Sequence, residues 1–133
     1  MKFAALTIIG ACLAAAQNPF LESEFIFPPE KLHNHSSMIV ELPGGELFTV
    51  WYRGSGERTA DDVAIMVSRK PRGRPWTPLR VLADTPNFPD CNPTVFVDKA
   101  KRLWLVWPTI IANQWETALL RYRVSSDYKD DPV

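Results

Sequence analysis

The chain has 133 residues, with 15 Lys+Arg against 15 Asp+Glu, 46% hydrophobic and 11% aromatic residues, 12 Pro, 6 Gly and 2 Cys. That length holds at most one ordinary domain, and a formal charge of zero supplies no net field to draw nucleic acid or an anionic membrane surface. The apolar fraction excludes a disordered chain, and two cysteines without a metal-ligand spacing exclude a disulfide scaffold or a zinc finger. Neither a metal nor an organic cofactor is expected. What remains is an aromatic-rich, proline-rich chain of β type.

Residues 1–16 read as an address. One positive charge at Lys2 precedes an uninterrupted apolar run, and Ala14-Ala15-Ala16 before Gln17 fits the small-residue rule for signal-peptide cleavage. The run is shorter than the roughly 20 residues of a spanning helix, so no membrane span is expected. The expectation is export, to a secreted or periplasmic location. A second reading makes Ile9-Gly10-Ala11-Cys12 a bacterial lipoprotein box with Cys12 as the lipidated terminus. After ordinary cleavage Cys91 is left without an intrachain partner and reads as a small buried hydrophobe. Residues 17–32 form a lead-in, and Asn34-His35-Ser36 is a glycosylation sequon.

Beyond Gln17 no helical periodicity is sustained. Short β-branched and aromatic runs alternate with Pro, Gly and Asp punctuation, which predicts strands at 37–42, 47–52, 62–68 and 79–82, then at 94–97, 102–107 and 117–124. Pro43-Gly44-Gly45-Glu46 and Asp98-Lys99-Ala100-Lys101 are hairpin connectors. The two sets superimpose. Leu47-Phe48-Thr49-Val50-Trp51 matches Leu103-Trp104-Leu105-Val106-Trp107 at an offset of 56 residues, and Met38-Ile39-Val40 matches Thr94-Val95-Phe96 at the same offset. Val67-Ser68 matches Val124-Ser125 at 57. Repeats of this length, built of antiparallel strands and apolar on both faces, are a signature of propeller blades, here at about 33–84 and 88–133. Propellers close with about four to eight blades, so two blades predict the N-terminal part of a longer protein that needs further C-terminal blades for closure. A compact two-sheet sandwich with chance similarity is the alternative.

The stretch from His35 through Met38-Ile39-Val40-Glu41-Leu42-Pro43-Gly44-Gly45 to Trp51, with Asp62-Val63-Ala64-Ile65-Met66-Val67-Ser68-Arg69, resembles the opening blade of sialidase-like proteins. Asn92-Pro93-Thr94-Val95-Phe96, Arg102 to Trp107 and Asn113 to Ala118 continue the likeness to the exo-α-sialidase branch with Asp-box (bacterial neuraminidase) repeats. The resemblance implies an all-β, six-bladed propeller that acts on terminal sugars of a glycan or oligosaccharide. The boxes are incomplete: Ser68, Gly73 and Trp76 lack the Asp between them, and Ser125 and Asp127 lack the Gly and Trp. His35 stands where the family carries the first arginine of its carboxylate clamp. Asp61 falls close to the family's general acid/base, whereas the tyrosine nucleophile with its Glu partner and the other two arginines belong to later blades. On that reading the 133-residue chain by itself is inactive.

Independently of the family, antiparallel connectivity puts His35, the loop 53–61, Asn92 and the loop 109–116 at one edge, where a rigid β scaffold usually carries function. Aromatic faces, planar amides, carboxylates and Arg suit a sugar. The candidates are Asp61, which the resemblance makes the acid/base, with His35, Arg53, Glu57, Asn92, Asn113 and Gln114 holding substrate. Asp62 reads as structural, because adjacent strand residues face opposite ways. Trp51, Trp104 and Trp107 read as packing, His33 has no special claim, and Arg69–Arg74 reads as a solvated basic turn. A non-catalytic carbohydrate-binding propeller and a purely structural module are the rival functions.

Overall fold

A computed structural model describes residues 20–128. The segment 1–16, with its expected cleavage site and the Cys12 alternative, lies outside the described residues. The fold is all-β. Strands β1 (His33–Glu41), β2 (Leu47–Gly54), β3 (Ala64–Lys70) and β4 (Arg80–Ala83) form one antiparallel sheet in sequential order, and β5 (Thr94–Val97), β6 (Leu103–Ile110) and β7 (Ala118–Ser125) form a second. No helix among the described residues is long and apolar enough to cross a membrane.

Both expected hairpin connectors form. Gly44 and Gly45 adopt φ of 115° and 83°, a region that disfavours side chains, and Leu42 N–H closes on the Glu46 carbonyl at 2.8 Å. In the second, Lys101 takes φ of 62° and its N–H bonds the Asp98 carbonyl at 2.9 Å. Five of the seven strands run one to three residues further at their C-terminal ends than the sequence pattern, and four begin one or two residues later. β1 differs most: it begins at His33 rather than residue 37, because a register shift between His35 and Met38, with Ser36 at φ of 54°, takes up the polar Ser36-Ser37 pair without ending the ladder.

The repeat extends to the pairing register. Met38 pairs with Val50 and Val40 with Phe48; Thr94 pairs with Val106 and Phe96 with Trp104, each residue displaced by 56. The third strands correct the sequence alignment. Val50 pairs with Val67 while Val106 pairs with Tyr122, so Tyr122, not Val124, is the repeat counterpart of Val67. The shift of two residues preserves the face, which is why the hydrophobic pattern concealed it.

The sheets pack front to back. Phe48, Val50 and Tyr52 of β2, with Ile65 and Val67 of β3, face Val95, Leu103, Leu105 and Trp107 of the second sheet in one core. Side-chain alternation makes the repeat equivalents of Phe48 and Val50, namely Trp104 and Val106, point away from that core. Each fully buried large apolar side chain contributes about 1.5–3 kcal/mol, so this interface holds the halves together.

The two sheets are also stitched at one edge. Asp90 N–H donates to the Val63 carbonyl at 2.9 Å, Cys91 N–H to Pro108 at 3.0 Å and Ile110 N–H to Pro89 at 2.9 Å. Asp90 is wholly buried, and its carboxylate accepts from Trp107 Nε1 at 2.9 Å, Thr85 N–H at 2.7 Å and the Thr109 hydroxyl. No local sequence pattern announces this carboxylate, because Trp107 and Thr109 lie 17 and 19 residues away.

Candidate functional site

The edge where β1 starts and β2 ends carries a cluster of polar side chains. His33 pairs with Gly54 and His35 with Tyr52, so both imidazoles and the phenol share a face. Gly54 is required: a Cβ there would lie 2.8 Å from the Val63 backbone. The Tyr52 hydroxyl donates to Glu57 Oε1 at 2.7 Å, and lies 2.9 Å from His35 Nδ1 and 3.2 Å from His33 Nε2. A phenol has one proton, so with it on the Glu57 bond the two ring nitrogens are the donors to the phenol oxygen. The His35 side chain is 64% exposed and that of Glu57 36%, while Tyr52 is wholly buried.

Burial, reinforced by the Glu57 carboxylate, pushes the Tyr52 phenol above its ordinary range. It is therefore a neutral anchor for its neighbours at ordinary pH. Burial likewise pushes the Cys91 thiol up to about 12, with the Glu57 and Asp90 charges adding to it. Cys91 is a free, buried, protonated thiol, in keeping with its reading as a small hydrophobe.

Of the sequence candidates, His35 and Glu57 meet in this cluster. Arg53 faces the other side of β2, where its guanidinium grips Glu30 with bonds of 2.6 and 2.7 Å. Asn34 links the same network, donating to Glu30 at 2.9 Å and accepting from Trp51 Nε1 at 2.8 Å. The sequon side chain is thus already engaged. The Arg53 and Asn34 hydrogen bonds hold the Glu30 carboxyl at about 2, below its ordinary 4.5.

Asp61 is exposed at the end of the β2–β3 loop and joins none of the hydrogen bonds described for this edge. Asp62 accepts from the Ser55 N–H at 3.0 Å and its hydroxyl at 2.8 Å, which lowers its pKa and pins the loop, as a structural residue should. Asn92 is exposed at φ of 42°, next to the stitch at Cys91. Asn113 (φ of 56°) and Gln114 are exposed in the β6–β7 loop before a single 3-10 turn, Trp115–Thr117. Arg69 is no bare turn residue: it forms a two-bond pair with Glu46 at 2.7 and 2.9 Å.

His33 is the member that sequence reasoning set aside; Tyr52 fell on the expected edge but was not named as a site residue. The His-x-His spacing was the available signal, since strand residues two apart share a face. Beside the cluster a cavity of about 630 Å³ runs between the lead-in and β1, lined by Glu30, Asn34, His35, Ser36, Ser37 and Trp51 among others. A second, of about 410 Å³, lies against β7 beside Asp84, Trp107, Arg121 and Arg123. There Arg123 Nη1 bonds the Leu82 carbonyl at 2.6 Å and its guanidinium stacks on Trp107 at 5.5 Å, in place of a carboxylate partner.

No family model matches this chain, and no curated protein does either.

Proposed function

We propose that this chain is part of a sialidase-like β-propeller that recognises terminal sugars of glycans at the edge carrying His35 and Glu57. One observation carries the propeller reading: the front-to-back stacking of two sheets that share a pairing register. In a self-closed sandwich built from a repeat, equivalent faces turn inward together. Here one sheet's front packs on the other's back, a heterologous contact that closes only by adding further units around a ring. The sheets also exchange no strands, since each is a sequential meander. The sandwich alternative is therefore the less favoured reading.

The sugar reading rests on the chemistry of the edge. Two imidazoles and a carboxylate offer both donors and acceptors to hydroxyl groups, and the adjoining cavity is the size of a small ligand site. Between hydrolase and binding module, the isolation of Asp61 favours the second, because a general acid must be held against the bond it protonates. The deciding experiment, on the chain extended by the further blades this reading requires, is titration with a panel of sialosides and neutral oligosaccharides, run beside a turnover assay on a chromogenic sialoside. Binding that His35→Ala and Glu57→Gln weaken by about tenfold or more, without turnover and unchanged in Asp61→Asn, supports the binding module. Turnover that Asp61→Asn abolishes establishes the hydrolase. Absence of binding to every glycan in the panel overturns the sugar reading.

A further inference from the structure

We infer that His33, His35 and Glu57 form a binding site for a divalent transition-metal ion of the zinc class. The ligand atoms of these residues all lie within 4.8 Å of one another. A tetrahedral Zn²⁺ with bonds of about 2.1 Å spaces its ligands about 3.4 Å apart, so the three atoms need to converge by about an ångström. Two features make that movement small. The imidazoles project from adjacent same-face positions of β1, with ring centroids 5.4 Å apart, and both residues are exposed, so their rings turn without disturbing the core. Glu57 sits on the β2–β3 loop, whose base is pinned by Asp62 on Ser55.

The donor set suits the ion. Two neutral imidazoles and one carboxylate are borderline-to-hard ligands that zinc, nickel and copper accept, whereas a calcium site needs six to eight oxygens. Three protein ligands leave a fourth position toward solvent, the arrangement in which zinc binds a water or an incoming oxygen ligand. Tyr52 is the supporting residue. Its buried phenol already touches Glu57 and both imidazoles, and when the ring nitrogens turn to the metal it keeps its 2.7 Å bond to Glu57 and fixes that carboxylate.

The site shares His35 and Glu57 with the sugar reading but does not rest on it, since its readout is metal binding alone. The test is calorimetric titration of the chelator-treated full chain with Zn²⁺, and with Co²⁺ as a visible probe. One Zn²⁺ per chain is expected, with Co²⁺ absorption bands of a four- or five-coordinate nitrogen–oxygen site. His33→Ala, His35→Ala and Glu57→Gln should each weaken Zn²⁺ binding at least about tenfold, and Tyr52→Phe about tenfold through Glu57 alone. Asp61→Asn should leave it unchanged. Far-UV circular dichroism checks that each variant folds, and the wild-type Co²⁺ spectrum decides independently of any variant. Binding that survives in a folded His33→Ala/His35→Ala double variant, or a wild-type chain that gives no Co²⁺ bands, overturns the site. A metal-binding chain that ignores every glycan keeps this inference and removes the previous one.

Discussion

Trp51 and Trp107 occupy the same place in the repeat, and both are buried, but by different means. Trp107 is sealed between the sheets, with its indole N–H on Asp90 and the Arg123 guanidinium over its ring. Trp51 lies on the opposite face of the first sheet and is covered from the lead-in: Phe27 stacks on it at 5.2 Å and Asn34 accepts its N–H. The companion faces diverge further. Phe48 and Val50 are wholly buried against the second sheet, whereas their counterparts Trp104 and Val106 are half-buried, and the Trp104 ring stacks on the exposed Phe96 at 6.0 Å and tilts against the exposed Tyr122 at 5.6 Å. One repeat pattern thus acquires three different coverings. Burial along this chain is decided by what lies next to a sheet, not by the residues within it.

Substitutions can break this contrast in graded steps. Trp107→Ala should be the most damaging, destabilising by about 3–5 kcal/mol in urea unfolding, because it opens a cavity between the sheets and strips a donor from a buried carboxylate. Asp90→Ala should follow at about 3 kcal/mol, since Trp107, Thr85 and Thr109 would all lose an acceptor. Phe27→Ala should cost only about 1–2 kcal/mol and shift tryptophan emission to the red as Trp51 meets water. A shift as large as that of Trp107→Ala would show that the lead-in is as integral as a second sheet.

The pH dependence sharpens the same comparison. Glu30, in the lead-in, has a folded pKa of about 2 against an ordinary 4.5. Its contribution is therefore complete above about pH 4.5 and is lost as pH falls through about 2. Glu30→Gln should flatten the stability-versus-pH curve across that interval, modestly, because salt and solvent screen an exposed pair. At the small end, Tyr122→Ala should change unfolding free energy by no more than about 0.5 kcal/mol, since 67% of Tyr122 is already in contact with water.

How much was legible in the sequence differs between fold and site. The Gly44-Gly45 turn and the β5 strand at 94–97 were readable because turn chemistry and two-residue alternation are local. Asp62 was read as structural from strand alternation, but β3 begins at Ala64, and what occupies its carboxylate is Ser55, seven residues away within one loop. Arg53 was taken toward the sugar by its place in the loop, whereas its strand parity turns it to Glu30, 23 residues upstream. His33 was overlooked because the bulge at Ser36 extends β1 backwards, and no propensity in Asn34-His35-Ser36 predicts that continuation.

By itself, the sequence determined an all-β chain, its hairpins and a repeat of 56 residues, since each follows from side-chain period and backbone freedom within a few positions. Only the tertiary structure decided that the repeats stack front to back, that Asp90 ties them at one edge, and that two histidines, a tyrosine and a glutamate converge there. Those outcomes depend on contacts between residues far apart in the chain, whose free energy appears only once the intervening backbone has been ordered.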